Sequence, residues 1–127
     1  MKTDEILNID CREEKNINIL NRFLWKIKPI KRIMEKELYN KGDVVPMEIL
    51  EKSLHGICMK NGYTMQHLNT YYDEKGFRFY TASVVNTNNK TRDWIGNVYG
   101  VSMWETLSKV IIKIYADVKK GEQQYER

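Results

Sequence analysis

Hydrophobic residues in the first third of the chain follow a helical period. Over residues 14–40 they recur at steps of three and four, which is typical of an amphipathic helix. Pro29 interrupts this pattern, and because proline lacks a backbone donor and clashes with the preceding turn, we expect a break or kink near Lys28. A further helix is predicted from Pro46, and Asn61-Gly62 supplies residues that tolerate a left-handed C-terminal cap.

The middle of the chain changes to residues that favour strands. Residues 63–72 are rich in β-friendly side chains, and the sequence DEKG at 73–76 predicts a hairpin turn with glycine at a positive-φ position. Residues 77–85 form the predicted partner strand. A second turn at 86–91 precedes a third predicted strand at 92–100. The pattern therefore indicates a three-stranded antiparallel meander.

A long apolar helix is predicted after the third strand. Ser102 and Glu105 have the spacing of a capping box, in which Ser102 accepts from the amide three residues on and Glu105 reaches back to the cap amide. Gly121 is expected to end the helix. Because Trp104, Ile112 and Tyr115 lie off the main apolar stripe, we expect the helix to be central in the fold or covered by a partner or by the N-terminal helices.

Together these elements predict an α+β fold in a single domain, which suits a chain of 127 residues. We interpret residues 1–43 as an N-terminal helical segment, residues 44–120 as an α-β-β-β-α core and residues 121–127 as a tail. The N-terminal helices are expected to pack on the core, whose sheet is the three-stranded antiparallel meander.

The order of elements over residues 46–120 resembles the double-stranded-RNA-binding domain. In that family the last strand runs into a glycine-containing turn, which Gly100 matches, and the next helix opens with lysines that contact RNA phosphates. Those lysine positions are occupied here by Met103, Trp104 and Leu107, which removes the cations that drive such binding. The resemblance implies the fold, and it implies that this end of the domain meets protein rather than phosphate.

The stretch WIGNVYGVSMWETLSKVIIKIYADVKKG is similar in style to short accessory proteins of phages and prophages in low-GC bacteria. Many of these end in a strand bearing an aromatic residue, a YG turn and an apolar helix with an early glutamate and a later lysine. This resemblance implies a phage or mobile-element origin and an anti-defence role, in which the protein binds and sequesters a host component.

Basic residues are concentrated in one window, although the net charge of the chain is only +4. Residues 22–36 hold six Lys and Arg against a single Glu35. One interpretation is a surface that contacts a host protein or phosphates, with Trp25 available for stacking. The other is the solvated face of an amphipathic helix. The candidate partner- or phosphate-binding residues are Arg22, Trp25, Lys26, Lys28, Lys31 and Arg32, together with Trp104, which is either packed in the core or exposed at an interface.

A second candidate site consists of Arg78, Tyr80, Arg92 and Trp94. If the open face of the sheet carries the even-numbered residues of its middle strand, Arg78 and Tyr80 project there. Arginine and aromatic planes stack on nucleobases, and guanidinium groups suit phosphates, so these residues are candidates for nucleotide binding. The alternative is that the aromatic side chains cover the sheet edge or seal a dimer.

No arrangement typical of catalysis or metal binding is found in the sequence. It has no Gly-rich phosphate loop and no serine nucleophile elbow, and Cys11 and Cys58 lack metal-ligand spacing. His55 and His67 are the only histidines, and we interpret each as a surface or hydrogen-bonded residue. We therefore expect no catalytic residue, no metal and no cofactor.

Three functions follow from these patterns. The first is a non-enzymatic phage or mobile-element protein that inhibits a host defence protein or nucleoprotein complex by occupying it. The second is an oligomeric sponge that sequesters a nucleotide signalling molecule between protomers. The third is a weak nucleic-acid-binding module. In each case we expect a cytoplasmic homodimer or small homo-oligomer. We expect no membrane association, because no apolar run approaches the roughly 18–20 residues that cross a bilayer.

Overall fold

A computed structural model of the chain describes residues 2–88 and 93–125, with side chains up to residue 120. Two helices, Met47–Asn61 and Met103–Tyr125, lie between an antiparallel sheet and three N-terminal helices. The architecture is α+β and contains the predicted α-β-β-β-α order. The elements are α1 (Thr3–Leu7), α2 (Glu14–Trp25), α3 (Lys28–Lys36), α4 (Met47–Asn61), β1 (Tyr63–Tyr72), β2 (Arg78–Asn86), β3 (Asp93–Gly100) and α5 (Met103–Tyr125).

The predicted break near Lys28 is confirmed. Helix α2 ends at Trp25 and α3 begins at Lys28, with the buried Ile27 in an extended conformation between them. Pro29 lies in the first turn of α3, where its missing N–H has no intrahelical partner to lose. The break turns α3 away from α2, so α3 packs on α4.

The sheet is the predicted meander, with β2 in the middle and both pairs antiparallel. Gly62 ends α4 in the left-handed conformation at φ +71°, and Gly76 turns the hairpin at φ +83°. The register of β1 shifts between Gln66 and Asn69, where His67 has φ +53°. This bulge changes which side chains of β1 share a face.

Side chains of the middle strand show that the condition for Arg78 and Tyr80 to project from the open face is not met. Ala82 and Val84 of β2 and Val98 of β3 are buried against the helices. Because strand side chains alternate, the even-numbered residues of β2, including Tyr80, belong to the helix side. The open face carries the odd-numbered residues, from Phe79 to Val85.

Helix α5 is buried around its whole girth from residue 105 to residue 112, which confirms its central position. The Ser102 hydroxyl accepts from the amide of Glu105 at 3.1 Å, as the capping box predicts, whereas the Glu105 carboxylate accepts from the amide of Val101 rather than from that of Ser102. A Cβ at Gly100 would lie 2.7 Å from the backbone nitrogen of Thr106, so glycine is needed for β3 to end this close to α5.

Helix α5 continues to Tyr125, so the expected helix end at Gly121 was wrong. Glycine within a helix costs only about 1 kcal/mol relative to alanine. The lysines before Gly121 and the Glu and Gln residues after it favour helix, and this offsets the cost.

Candidate functional site

A groove of about 460 Å³ lies between α3, α4 and α5, and we call it the α3–α4–α5 groove. Its position follows from local spacing, since Lys28 and Arg32 are one turn apart on α3 and Lys52 and Lys60 are two turns apart on α4. Gly56 lies between these two lysines, and a Cβ there would meet no atom within 4 Å. The groove therefore opens where α4 presents no side chain.

All five charged side chains in the lining of the α3–α4–α5 groove are basic: Lys28, Arg32, Lys52, Lys60 and Lys119. Lys52 Nζ lies 3.4 Å from a carboxylate oxygen of Glu37, outside the groove lining. Lys28, Arg32 and Lys60 are exposed to solvent. Cations this concentrated create a local positive potential that favours anions.

The remaining lining is largely apolar. Pro29 and Ile33 come from α3, Ile57 from α4, and Tyr115 and Val118 from α5. Ser53 also contributes; it is 2% exposed, and its hydroxyl has no hydrogen-bond partner among the described residues. The groove thus combines basic residues, apolar surface, an aromatic ring and a buried hydroxyl.

A second groove of about 450 Å³, the α1–α2–α5 groove, lies beside the first and shares Tyr115 and Lys119 with it. Its charged lining is mixed, because Asp4 and Asp117 face four further lysines. Asp117 accepts a 2.5 Å hydrogen bond from the hydroxyl of Tyr63, and burial together with this bond raises the pKa of Tyr63. The further lysines of the α1–α2–α5 groove are Lys2, Lys26, Lys113 and Lys120.

The structure divides the predicted basic window between different surroundings. Lys28 and Arg32 line the α3–α4–α5 groove, and Lys26 lines the α1–α2–α5 groove. Arg22 and Lys31 are exposed outside both linings, and Lys31 lies 3.9 Å from Glu35. The window is therefore partly groove wall and partly solvated helix surface.

Two of the three tryptophans are bound to the loop between α3 and α4. The indole N–H of Trp25 donates to the carbonyl of Asp43 at 2.8 Å, and that of Trp104 donates to the carbonyl of Val45 at 2.7 Å. Both rings are half-buried. Trp104 thus packs against the core, and its polar atom is already occupied within the chain.

The second predicted site is not brought together. The guanidinium of Arg78 lies 4.9 Å from the ring centre of Tyr80, on the helix side of the sheet. Trp94 lies on the open face, at the other end of the strands, beside Val85. Arg92 lies outside the described residues. The hypothesis that Arg78 and Tyr80 project from the open face is wrong, because the even-numbered residues of β2 face the helices.

A buried ion pair, unforeseen from the sequence, lies where α5 meets the end of β3. Lys109 Nζ lies 2.8 Å from Glu105 Oε2 and donates to the carbonyls of Ile9 and Tyr99 at 2.7 and 3.0 Å. The amide of Cys11 donates to the same carboxylate, and burial raises the pKa of the Cys11 thiol to about 12. Each charge has partners here, so we interpret the network as structural.

Sequence reasoning missed Lys52, Ser53, Lys60, Tyr115 and Lys119 of the α3–α4–α5 groove. These residues lie on α4 and α5, far along the chain from the basic window. The available signal was the recurrence of Lys52, Gly56 and Lys60 at steps of four, which places them on one helix face.

Comparison with models of known protein families, with curated proteins and with solved structures gave no match to this chain. Among the described helices, none combines the length and apolar character needed to cross a membrane. The described residues also contain no group of three or more His, Cys, Asp or Glu side chains placed to hold a metal ion.

Proposed function

We propose that the protein is a non-enzymatic binding protein that sequesters a nucleotide in the α3–α4–α5 groove. The observation that carries this proposal is the set of five basic side chains around an apolar lining with one aromatic ring. A nucleotide has the matching chemistry, since its phosphates carry negative charge and its base is a flat apolar ring.

The size of the groove favours a small ligand. Small-molecule sites have volumes of about 300–1,000 Å³, and the α3–α4–α5 groove, at about 460 Å³, lies within this range. Tyr115 is the aromatic ring that a base would contact, beside Lys119, whose Nζ lies 5.4 Å from the ring centre. Lys28, Arg32 and Lys60 would hold phosphates. The unpartnered hydroxyl of Ser53 supplies a further hydrogen-bonding group at the groove wall.

This proposal moves the nucleotide site away from Arg78, Tyr80, Arg92 and Trp94, where the sequence placed it. It also places the ligand within one chain rather than between protomers. Sequestration of a nucleotide signal is compatible with the predicted phage anti-defence role. Direct occupation of a host protein stays a prediction, and the indole N–H of Trp104, its favoured contact residue, is bound to Val45.

The test is a calorimetric titration of the protein with ATP, adenosine and pyrophosphate at low salt. We expect ATP to bind, pyrophosphate to bind more weakly and adenosine to bind least, because the phosphates supply the charge and the base adds stacking. A single-stranded oligonucleotide in the same assay tests the nucleic-acid hypothesis. Preferential binding of the oligonucleotide, with affinity falling steeply with salt, would favour that hypothesis instead.

Arg32→Ala and Lys60→Ala test the groove, and Lys36→Ala is the matched control because Lys36 lies on α3 outside the groove lining. Loss of one charge-assisted hydrogen bond costs about 1.5–3 kcal/mol, so each groove variant should weaken ATP binding about 10- to 100-fold. Lys36→Ala should bind as the unaltered protein does. Equal effects of all three variants would show non-specific attraction and contradict the proposal.

Ser53→Ala gives a second test of the groove. Removing a buried hydroxyl that lacks a partner should raise the free energy of unfolding, while removing a ligand contact should weaken ATP binding. Unchanged ATP affinity in Ser53→Ala would show that this hydroxyl does not belong to the site.

A separate measurement is the absorbance ratio at 260 and 280 nm of the purified protein before and after denaturation, which shows whether a nucleotide is bound when the protein is purified.

A further inference from the structure

The α3–α4–α5 groove and the α1–α2–α5 groove meet along α5. Tyr115 and Lys119 line both grooves and are one helical turn apart. The break between α2 and α3 also joins them, since Lys26 before it lines one groove and Lys28 after it lines the other. With volumes of about 450 and 460 Å³, the two grooves together still lie within the roughly 300–1,000 Å³ of small-molecule sites.

The α1–α2–α5 groove has an apolar wall with an aromatic ring of its own. Leu7 of α1, Phe23 of α2 and Ile112 of α5 lie in its lining. Ile95 joins them from a bulge in β3, where the register shifts and Ile95 is the extra residue opposite β2. Because nucleobases bind against aromatic and apolar side chains, this wall suits a second base.

Lys113 of α5 supplies a cation to the same groove. Its side chain lies against Gly96 of β3, where a Cβ would collide with Lys113 Cε and lie 2.9 Å from Nζ. Glycine at this position, with φ +138°, therefore leaves the space that the lysine occupies. Lys113 is half-buried, and no hydrogen bond or ion pair joins its ammonium group to another described residue. A half-buried cation of this kind favours an anionic ligand.

Asp117 gives the α1–α2–α5 groove a carboxylate, a group absent from the described lining of the α3–α4–α5 groove. The hydroxyl of Tyr63 donates to Asp117 Oδ2 at 2.5 Å and fixes the carboxylate in place. Its Oδ1 receives no hydrogen bond from the described part of the chain. Carboxylate oxygens accept from the amino groups of bases and repel phosphate. One groove therefore suits phosphates, and the other suits a base with N–H donors.

We propose that the ligand is a dinucleotide, which spans both grooves across Tyr115 and Lys119. Its 5′ phosphate and first base occupy the α3–α4–α5 groove. The second base enters the α1–α2–α5 groove against Phe23 and donates to Asp117, and the linking phosphate pairs with Lys113. This inference rests on the proposed function, because it extends the ligand of the same groove by one nucleoside.

Calorimetric titration at low salt with ADP and with pApA, a diadenylate that carries a 5′ phosphate, tests the inference. Both molecules carry two phosphates and about three negative charges, so they differ chiefly in the second nucleoside. We expect pApA to bind about 10-fold or more tightly than ADP, because contact between a base and an aromatic ring contributes that much affinity.

Two variants of the α1–α2–α5 groove, Lys113→Gln and Phe23→Leu, should each reduce the advantage of pApA over ADP to about threefold or less. Neither should change the affinity for ADP, which occupies the other groove. Lys36→Gln is the matched control because Lys36 lies outside both groove linings, and it should keep the full advantage. Thermal melting establishes that each variant is folded.

Equal affinities of the unaltered protein for pApA and ADP would overturn this inference and leave the proposed function standing. Absence of binding by either molecule would overturn both. An advantage of pApA that survives in Lys113→Gln and in Phe23→Leu would place the second base elsewhere and contradict the inference. A single strand of about ten adenylates that binds more than about 100-fold more tightly than pApA would also contradict it, since the ligand would then be a nucleic acid.

Discussion

Among single residues, Glu105 and Lys109 depend most on polar partners within the chain, because both are charged and almost fully buried. Their side chains are only 2% and 4% exposed, and burial of an ion pair is costly unless every donor and acceptor finds a partner. Lys109 meets this condition by donating to the carbonyls of Ile9 and Tyr99 as well as to Glu105. The pair thereby ties the N-terminal segment to the end of β3.

Lys109→Met should lower the free energy of unfolding by about 3–5 kcal/mol, because it leaves the Glu105 carboxylate buried without a counter-charge. Urea denaturation followed by circular dichroism measures the change. The double variant Glu105→Gln, Lys109→Met removes both charges and should recover most of the loss. If Lys109→Met costs less than about 1 kcal/mol, the pair is not buried as described.

The Cys11 thiol should be unreactive in the native protein. Burial, assisted by the Glu105 carboxylate, raises its pKa to about 12, so the thiolate is scarce at pH 8. Between pH 9 and 12 the unfolded chain loses this proton while the folded chain keeps it. Stability should therefore fall as pH rises through this window, by at most about 1.4 kcal/mol per unit from this group.

Cys11→Ala is the variant that isolates this effect. It should reduce the fall in stability above pH 9, and the difference from the unaltered protein gives the share of Cys11, because the raised pKa values of Cys58 and Tyr63 contribute equally to both. Labelling with a thiol reagent at pH 8 gives an independent check. Rapid modification of Cys11 in the folded chain would contradict the burial of this thiol.

At the scale of elements, the loop between α3 and α4 is held from two sides. Asn21 of α2 donates to the carbonyls of Gly42 and Asp43 and accepts from the buried amide of Val45 at 2.9 Å. Trp104 of α5 binds the carbonyl of Val45. These bonds fix where α4 begins, and α4 carries one wall of the α3–α4–α5 groove.

Asn21→Ala should lower the free energy of unfolding by about 1–3 kcal/mol, because the Val45 amide is left buried without a partner. Asn21→Asp keeps an acceptor for this amide but turns a carboxylate oxygen toward the carbonyls of Gly42 and Asp43 at a buried position, so it should cost more than Asn21→Ala. Thermal melting of the two variants side by side measures the difference. A smaller loss in Asn21→Asp than in Asn21→Ala would mean that the acceptor for the Val45 amide holds the loop and that the two donors contribute little.

Local patterns were sufficient to predict most elements of this fold. The three strands lie within one residue of their predicted ends. The break between α2 and α3 was predicted from Pro29 alone. Period and turn chemistry act over a few residues, so a sequence reveals them directly. The sequence left the face of β2 open because alternation allows two choices, and only packing against α5 selects Ala82 and Val84 for the core.

The candidate groove was harder to predict because it, too, depends on tertiary packing. Lys28 and Arg32 were identified, but Lys60 and Tyr115 come from helices whose arrangement depends on tertiary packing. A charge run shows where cations are along the chain, whereas a binding site depends on cations that converge in space. The unpartnered hydroxyl of Ser53 likewise has no signature in the sequence.

On the scale of the whole molecule, charge is distributed unevenly. Nine different basic side chains line the two grooves against the carboxylates of Asp4 and Asp117, an excess larger than the +4 of the whole chain. The remainder of the chain is therefore net negative. Repulsion among the groove cations destabilises the folded state, and a bound polyanion would relieve it.

This asymmetry predicts opposite effects of one substitution on stability and on ligand response. Lys60→Glu replaces a repulsive charge with an attractive one near Lys28 and Arg32. At low salt its free energy of unfolding should therefore exceed that of Lys36→Glu, which likewise puts a glutamate in the last turn of a helix, by about 0.5–1 kcal/mol. Pyrophosphate at constant ionic strength should stabilise the unaltered protein through binding to the folded state, and this stabilisation should be lost in Lys60→Glu.

Thermal melting with and without pyrophosphate measures both effects, with Lys36→Glu as the control because Lys36 lies outside both groove linings. That variant changes net charge equally, so it should keep the pyrophosphate response. If Lys36→Glu and Lys60→Glu lose the response together, general charge and not the α3–α4–α5 groove attracts the anion. If only Lys60→Glu loses it, the cations of the α3–α4–α5 groove bind the anion, and their mutual repulsion lowers the stability of the folded state when no anion is bound.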